Sequence, residues 1–139
     1  MGKFSADVGS WVRQSEKRIK AVRNEAAQTM ASEIRKPVSQ GGRMKIDTGY
    51  LRASLMGSTS QMPSINPEGV PGEGQTYSAG DEIALVIAGA SITDTIYMGF
   101  TAAYARPREY LDGFVRLPAQ RWQQIVQETV LKLKSRAQV

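Results

Sequence analysis

The chain has 139 residues, 41% of them hydrophobic and 22% charged, with a formal net charge of +5. That is a size and composition for one globular domain able to bury a core. It contains no cysteine and no histidine, which excludes disulfides, thiolate chemistry, the commonest metal ligand and the usual catalytic triads. No apolar run approaches the roughly 18 residues a membrane span needs, and no apolar signal region follows Lys3, so a soluble, unprocessed protein without membrane contact or cofactor is expected. The charge is uneven: residues 1–45 carry ten basic and four acidic side chains, a local balance of +6.

Residues 4–36 predict one long amphipathic helix. Val8, Trp11, Val12, Ser15, Ile19, Val22, Ala26, Met30 and Ile34 recur at steps of three and four, the period of one helix face. Arg13, Lys17 and Lys20 fall on the other side. Gly9-Ser10 is a weak point where a kink is expected, and Pro37 ends the helix. A turn at Ser39–Arg43 leads to Asp47 or Thr48, either of which can cap a short helical turn through Leu51. The chain is then expected to extend over residues 53–59.

Residues 56–80 are rich in Gly, Pro and Ser and poor in large apolar groups. A structureless segment of this length is unusual in a compact domain and points to a flexible loop or an arm reaching another subunit. Residues 82–88 read as a buried central strand, because Ile83, Leu85 and Ile87 alternate with Ala84, Val86 and Ala88; residues 95–100 read as a weaker strand. A closing helix over roughly 114–136 opens at Gly113 or Pro118 and carries an apolar face that includes Trp122, Ile125, Val126 and Leu133. Trp11 and Trp122 are expected to pack between the two helices. The architecture expected is α+β: a single domain over 1–139, with N- and C-terminal amphipathic helices on a small, mostly antiparallel sheet from residues near 53–59, 82–88 and 95–100.

Two blocks stand out: Asp47-Thr48-Gly49-Tyr50-Leu51-Arg52-Ala53-Ser54, and Tyr104-Ala105-Arg106 running on through Glu109-Tyr110 to Gly113-Phe114-Val115-Arg116-Leu117. In this order and between two helices they resemble the neck and tail-completion proteins of lambda-like siphophages, the family of the gene-product-ten-like proteins and the lambda minor tail protein Z. That family's pattern is a long helix, Asp-Thr-Gly-x-Leu-Arg-x-Ser, a variable loop with strands, Tyr-Ala-x-x-Glu-Tyr/Phe-Gly, and a closing helix. Asp47, Thr48, Gly49, Leu51, Arg52 and Ser54 complete the first motif. Tyr104, Ala105, Arg106, Glu109 and Tyr110 carry the second, with three residues rather than two between Ala105 and Glu109 and with Leu111-Asp112-Gly113 where many relatives have an immediate glycine.

The resemblance implies a structural virion protein, not an enzyme. It would sit at the neck or tail top, completing the tail and joining it to the head connector around the DNA passage. Its implied partners are copies of itself in a ring of six or twelve, connector or head-closure proteins, and tail-terminator or tail-tube proteins. Its implied place is the virion, and the host cytoplasm during assembly. Read from the residues alone, Asp47 and Arg52 are either an ion pair, a subunit contact, or a cap and a solvated cation; Tyr104, Arg106, Arg108 and Glu109 are either an inter-subunit patch or an exposed turn. Arg13, Lys17 and Lys20 can face DNA in a channel, since phosphate attraction needs only clustered positive charge, or water. The same charge leaves a basic DNA-binding or DNA-packaging accessory protein as the alternative. A carboxylate enzyme would need a buried Asp or Glu in a pocket. Gly69–Gly74 is glycine-rich but lacks the lysine and hydroxyl of a phosphate-binding loop.

Overall fold

The computed structural model describes residues 2–137. Helix α1 spans Gly2–Ile34, followed by α2 (Tyr50–Ala53), β1 (Leu55–Ser58), α3 (Glu82–Gly89), β2 (Tyr97–Phe100), α4 (Ala105–Asp112), α5 (Arg116–Ala119) and α6 (Trp122–Ala137). The class is α+β, with long terminal helices and a two-stranded antiparallel sheet.

At 33 residues, α1 is about 50 Å long at ~1.5 Å per residue. It passes Gly9-Ser10 without a break. Its C-terminal third is the spine of the core: Ala26, Ala27, Met30, Ala31 and Ile34 are all buried. The small alanines let α6 approach. The two helices run antiparallel, since Arg121 reaches Glu33 at one end and Lys132 reaches Glu25 further along. Ile125 and Thr129 are the buried face of α6, and the Thr129 hydroxyl donates to the Ile125 carbonyl one turn back.

After α1 the chain doubles back through a 3-10 turn at Val38–Gln40. Val38 N–H donates to the Met44 carbonyl at 2.9 Å and Met44 N–H to the Lys36 carbonyl at 3.2 Å. This closes the loop and seats Met44, fully buried, under the end of α1. β1 and β2 then pair with Leu55 opposite Phe100 and Ser58 opposite Tyr97. Thr101 N–H extends the ladder to the Ser54 carbonyl at 3.0 Å. Leu55 and Phe100 face inward, and Phe100 meets Phe114 edge-on with ring centroids 5.1 Å apart.

Besides the kink expected at Gly9-Ser10, three expectations are corrected. Residues 82–88 are a helix, not a central strand. Residues 83–88 are apolar at every position, so alternation and helical spacing both fit them; burial decides, because Ile83 and Ile87, four apart, are 1% and 0% exposed while Leu85 is 72% exposed. Glu82 in the first turn also suits the positive end of the helix dipole. The closing helix is two pieces rather than one over 114–136. Pro118 sits inside the single turn of α5, and Arg121 N–H bonds back to the Pro118 carbonyl at 2.9 Å, a tight three-residue step before α6 begins. Finally, the tryptophans do not pack between the helices: Trp11 is 69% exposed and Trp122 41%. The apolar stripe of α1 continues past the point where its own chain covers it.

Candidate functional site

The two sequence blocks meet. Residues 45–52 and the start of α4 line a cleft of about 420 Å³ whose wall includes Asp47, Thr48, Gly49, Leu51, Arg52, Tyr104 and Arg108, with Pro71 from the long loop. The contact is aromatic. Tyr50 meets Tyr77 edge-on at 5.0 Å and Tyr104 at 6.4 Å between ring centroids. One tyrosine from each of three separated segments thus ties the first block, the loop and the second block together.

The loop of residues 59–81 has no regular structure, but its middle is fastened to its own chain. Asn66 N–H donates to the Thr101 carbonyl at 2.8 Å, Tyr77 N–H to the Thr48 carbonyl at 2.7 Å, and the loop's Gly69 carbonyl accepts from Ala103 N–H at 2.8 Å. The Tyr77 hydroxyl accepts from Gly72 N–H and donates to Gln75. Among the described residues no backbone hydrogen bond ties residues 59–65 to the rest of the chain, although Ile65 packs against the core.

Each motif residue has a definite place. Thr48 accepts Tyr50 N–H on its hydroxyl at 3.2 Å, while the N-cap of α2 is Gly49, with no side-chain cap. Gly49 has φ +84°, and a Cβ there would lie 2.2 Å from the Tyr77 carbonyl oxygen. Only glycine meets both demands. Leu51 is core. Arg52 donates from Nε to the Arg35 carbonyl at 3.0 Å, closing the end of α1 where the helix leaves unpaired carbonyls. Ser54 is buried, with its hydroxyl on the Leu51 carbonyl at 2.8 Å. Asp47 is exposed, and among the described residues it makes no ion pair with Arg52.

In the second block, Tyr104 precedes α4 and is half-buried. Burial pushes its phenol above the usual range, with the Leu51 backbone acting in the opposite direction. Glu109 turns inward along its own chain: its carboxylate accepts Val115 N–H at 2.8 Å and Arg116 N–H at 3.2 Å. It thereby caps the start of α5, a role sequence spacing does not announce because the acceptor precedes the donors by six and seven residues. Arg106 is exposed. Arg108 pairs with Asp112 at 2.7 Å, and Lys45 stands 4.0 Å from the same carboxylate.

The Arg35 guanidinium is shifted below its usual range by burial first and by the neighbouring Arg52 second, with Asp81 opposing. Two cations and one carboxylate thus sit where α1 ends. On the far side of the molecule, Arg13 and Lys17 are exposed and Lys20 half-exposed. Among the described residues none of the three has a carboxylate within 4 Å.

The cleft presents the Lys45, Arg52 and Arg108 cations, the Asp47 carboxylate and the Tyr104 phenol; Arg52 and Arg108 are engaged within the chain, while Asp47 is exposed. Among the described residues no group of three or more carboxylates could hold a metal ion, and no helix is long and apolar enough to cross a membrane. No protein-family model, no curated protein and no solved structure matches the chain.

Proposed function

We propose that the chain is a structural subunit of a bacteriophage neck, completing the tail top and joining it to the head connector around the DNA passage, in a ring of six or twelve copies. The supporting observation is the meeting of the two blocks. The Asp-Thr-Gly-x-Leu-Arg-x-Ser run and the Tyr104–Glu109 run, some fifty positions apart in sequence, share one cleft through the Tyr50–Tyr104 contact. Gly49, Arg52, Ser54 and Glu109 build that face from within, while Asp47 remains exposed on it; Arg106 is exposed elsewhere on α4. A surface so constructed serves contacts between chains. Connector or head-closure proteins and tail-terminator or tail-tube proteins are its proposed neighbours.

The deciding experiment is removal of the gene from the encoding phage, with microscopy of the lysate and localisation of the chain in purified particles. Heads and tails that fail to join, restored by the gene in trans, are expected. Infectious particles that lack the chain and plate normally would refute the reading.

The basic accessory-protein reading draws on Arg13, Lys17 and Lys20, which no carboxylate neutralises among the described residues. Such a protein retains free duplex at low salt and releases it steeply as salt rises. A neck subunit binds free duplex weakly under the same conditions.

A further inference from the structure

The charge of this molecule is segregated by segment. Between Arg52 and Arg106 there is no lysine or arginine, while Glu68, Glu73, Asp81, Glu82 and Asp94 all fall there. The excess of positive charge belongs to the segments on either side: +4 over residues 35–52, and +2 each in α1, residues 105–121 and α6. Folding brings Asp81 near Arg35 at the end of α1 and Arg23 onto the Ala90 and Ser91 carbonyls beyond α3, and leaves Glu82 without a cation at ion-pair distance among the described residues. Lys17 and Arg18 of α1 and Lys134 and Arg136 of α6 rim a groove of about 910 Å³ between the two helices. Among the described residues none of these four has a carboxylate at ion-pair distance. The groove floor is apolar, with Ala21, Val22, Val130 and Leu133.

The acidic segment presents the complementary shape. Helix α3 buries Ile83 and Ile87 against its own chain and turns Asp81, Glu82, Leu85, Ala88 and Gly89 outward. Leu85 is the most exposed aliphatic side chain of the core-forming helices, and Gly89 has open space where a Cβ would stand. A helix with one projecting leucine, two small residues one turn on and the Glu82 carboxylate in its first turn fits a narrow apolar trough with a basic rim.

We infer that the α1/α6 groove of one copy receives the outer face of α3 from a second copy. Like faces repel: groove against groove opposes four cations to four, and α3 against α3 opposes carboxylates. The contact is therefore head-to-tail, between two different patches of the same chain, and such contacts close into rings or run on as filaments. Its closure into a ring rests on the neck-subunit reading; the pairing of the two patches does not.

The cysteine-free sequence supplies the test. Ala21→Cys marks the groove and Ala88→Cys marks α3, both at exposed positions, and one of the two proteins carries a mass tag. With a short bismaleimide at high protein concentration, the mixture is expected to give the mixed dimer, and each variant alone none. Lys17→Glu/Arg18→Glu on the groove protein, or Glu82→Lys on the α3 protein, should each abolish the cross-link, and the two reversals combined across the interface should restore it. These changes lie on the surface, and circular dichroism checks that the variants remain folded. Cross-links within one variant only, no cross-link at all, or cross-linking indifferent to the reversals overturns the inference. If the chain is found in particles while that result holds, the neck reading survives and this interface does not; the mixed cross-link without particle incorporation has the opposite meaning.

Discussion

Replacing Gly49 with alanine sets two separate costs on one position. The first is conformational. At φ +84° an L residue suffers the contact between Cβ and carbonyl that disfavours the left-handed region, about 1–2 kcal/mol. The second is the approach of the loop. The new Cβ would stand 2.2 Å from the Tyr77 carbonyl oxygen, so the Tyr77 backbone must withdraw. Its 2.7 Å hydrogen bond to the Thr48 carbonyl is worth ~0.5–1.5 kcal/mol net, and the edge-on contact of Tyr77 with Tyr50 another ~0.5–1.5 kcal/mol. The sum is ~2–5 kcal/mol, reduced by ~0.4–1 kcal/mol because alanine also restricts the unfolded chain. Gly74→Ala is the control: φ is +72° there, but nothing lies within 4 Å of the built Cβ, so only the conformational cost of ~1–2 kcal/mol, less the same entropy term, applies. Urea unfolding of the wild type and both variants measures the difference. Limited proteolysis tells whether Gly49→Ala loosens the fold as a whole or frees residues 66–77 alone, which in the wild type should be cut later than residues 59–65. Equal midpoints for the two variants, with the loop equally protected in both, would refute the close-approach argument.

Three further outcomes are expected. Glu109→Ala leaves the Val115 and Arg116 N–H groups at the start of α5 without their acceptor and should cost ~0.5–2 kcal/mol, as cap removal does, measured by thermal unfolding. The Lys132–Glu25 pair at 2.7 Å holds the Glu25 carboxyl below its usual range, mainly through the lysine hydrogen bond. Its contribution is therefore complete above the unfolded-state carboxyl range and is lost as pH falls through the lower folded-state value. Both side chains are partly exposed, so Lys132→Met should remove no more than ~1 kcal/mol near neutrality and flatten the acid limb of stability against pH. Trp11→Ser should change the stability of the isolated chain by less than ~0.5 kcal/mol, because that side chain is mostly in water; a larger loss would mean that the exposed part of α1 is covered in solution.

The long helices and the strand segments 55–58 and 97–100 could be read from sequence because each shows a period that only one kind of element satisfies, or a short run bounded by turn residues. Residues 83–88 could not, since an unbroken apolar run carries no period and only the burial of Ile83 and Ile87 distinguishes helix from strand. Periodicity also misled at Trp11. It identifies an apolar stripe but not what covers it, and the stripe on α1 outruns the core that starts at Ala26. At the cleft, the need for a permissive backbone at Gly49 was legible. The tyrosine cluster was not: Tyr50, Tyr77 and Tyr104 come from three segments whose meeting depends on the fold of a loop with no pattern of its own. Nor was the reach of Glu109 to α5, which requires Gly113 at φ +69° to turn the chain back.

The placement of the motif residues divides their labour in a way that bears on any assembly experiment. Gly49, Leu51, Arg52, Ser54 and Glu109 are spent on backbone geometry, core and helix ends. Changing them damages the subunit before it can affect a contact between subunits, and a loss of assembly in such variants says little about interfaces. Asp47 and Arg106, and the exposed Tyr110 and Leu111 on the outer side of α4, have no such duty. The same holds for the four groove cations and for Leu85. Interface energy must come from groups that the folded chain has left in water, because only those have surface still to remove from it. Substitutions at the second set should therefore leave the unfolding midpoint near the wild-type value while altering association, and those at the first set should do the reverse. A variant such as Arg106→Glu that lowered monomer stability as much as Glu109→Ala would show that the division is drawn in the wrong place.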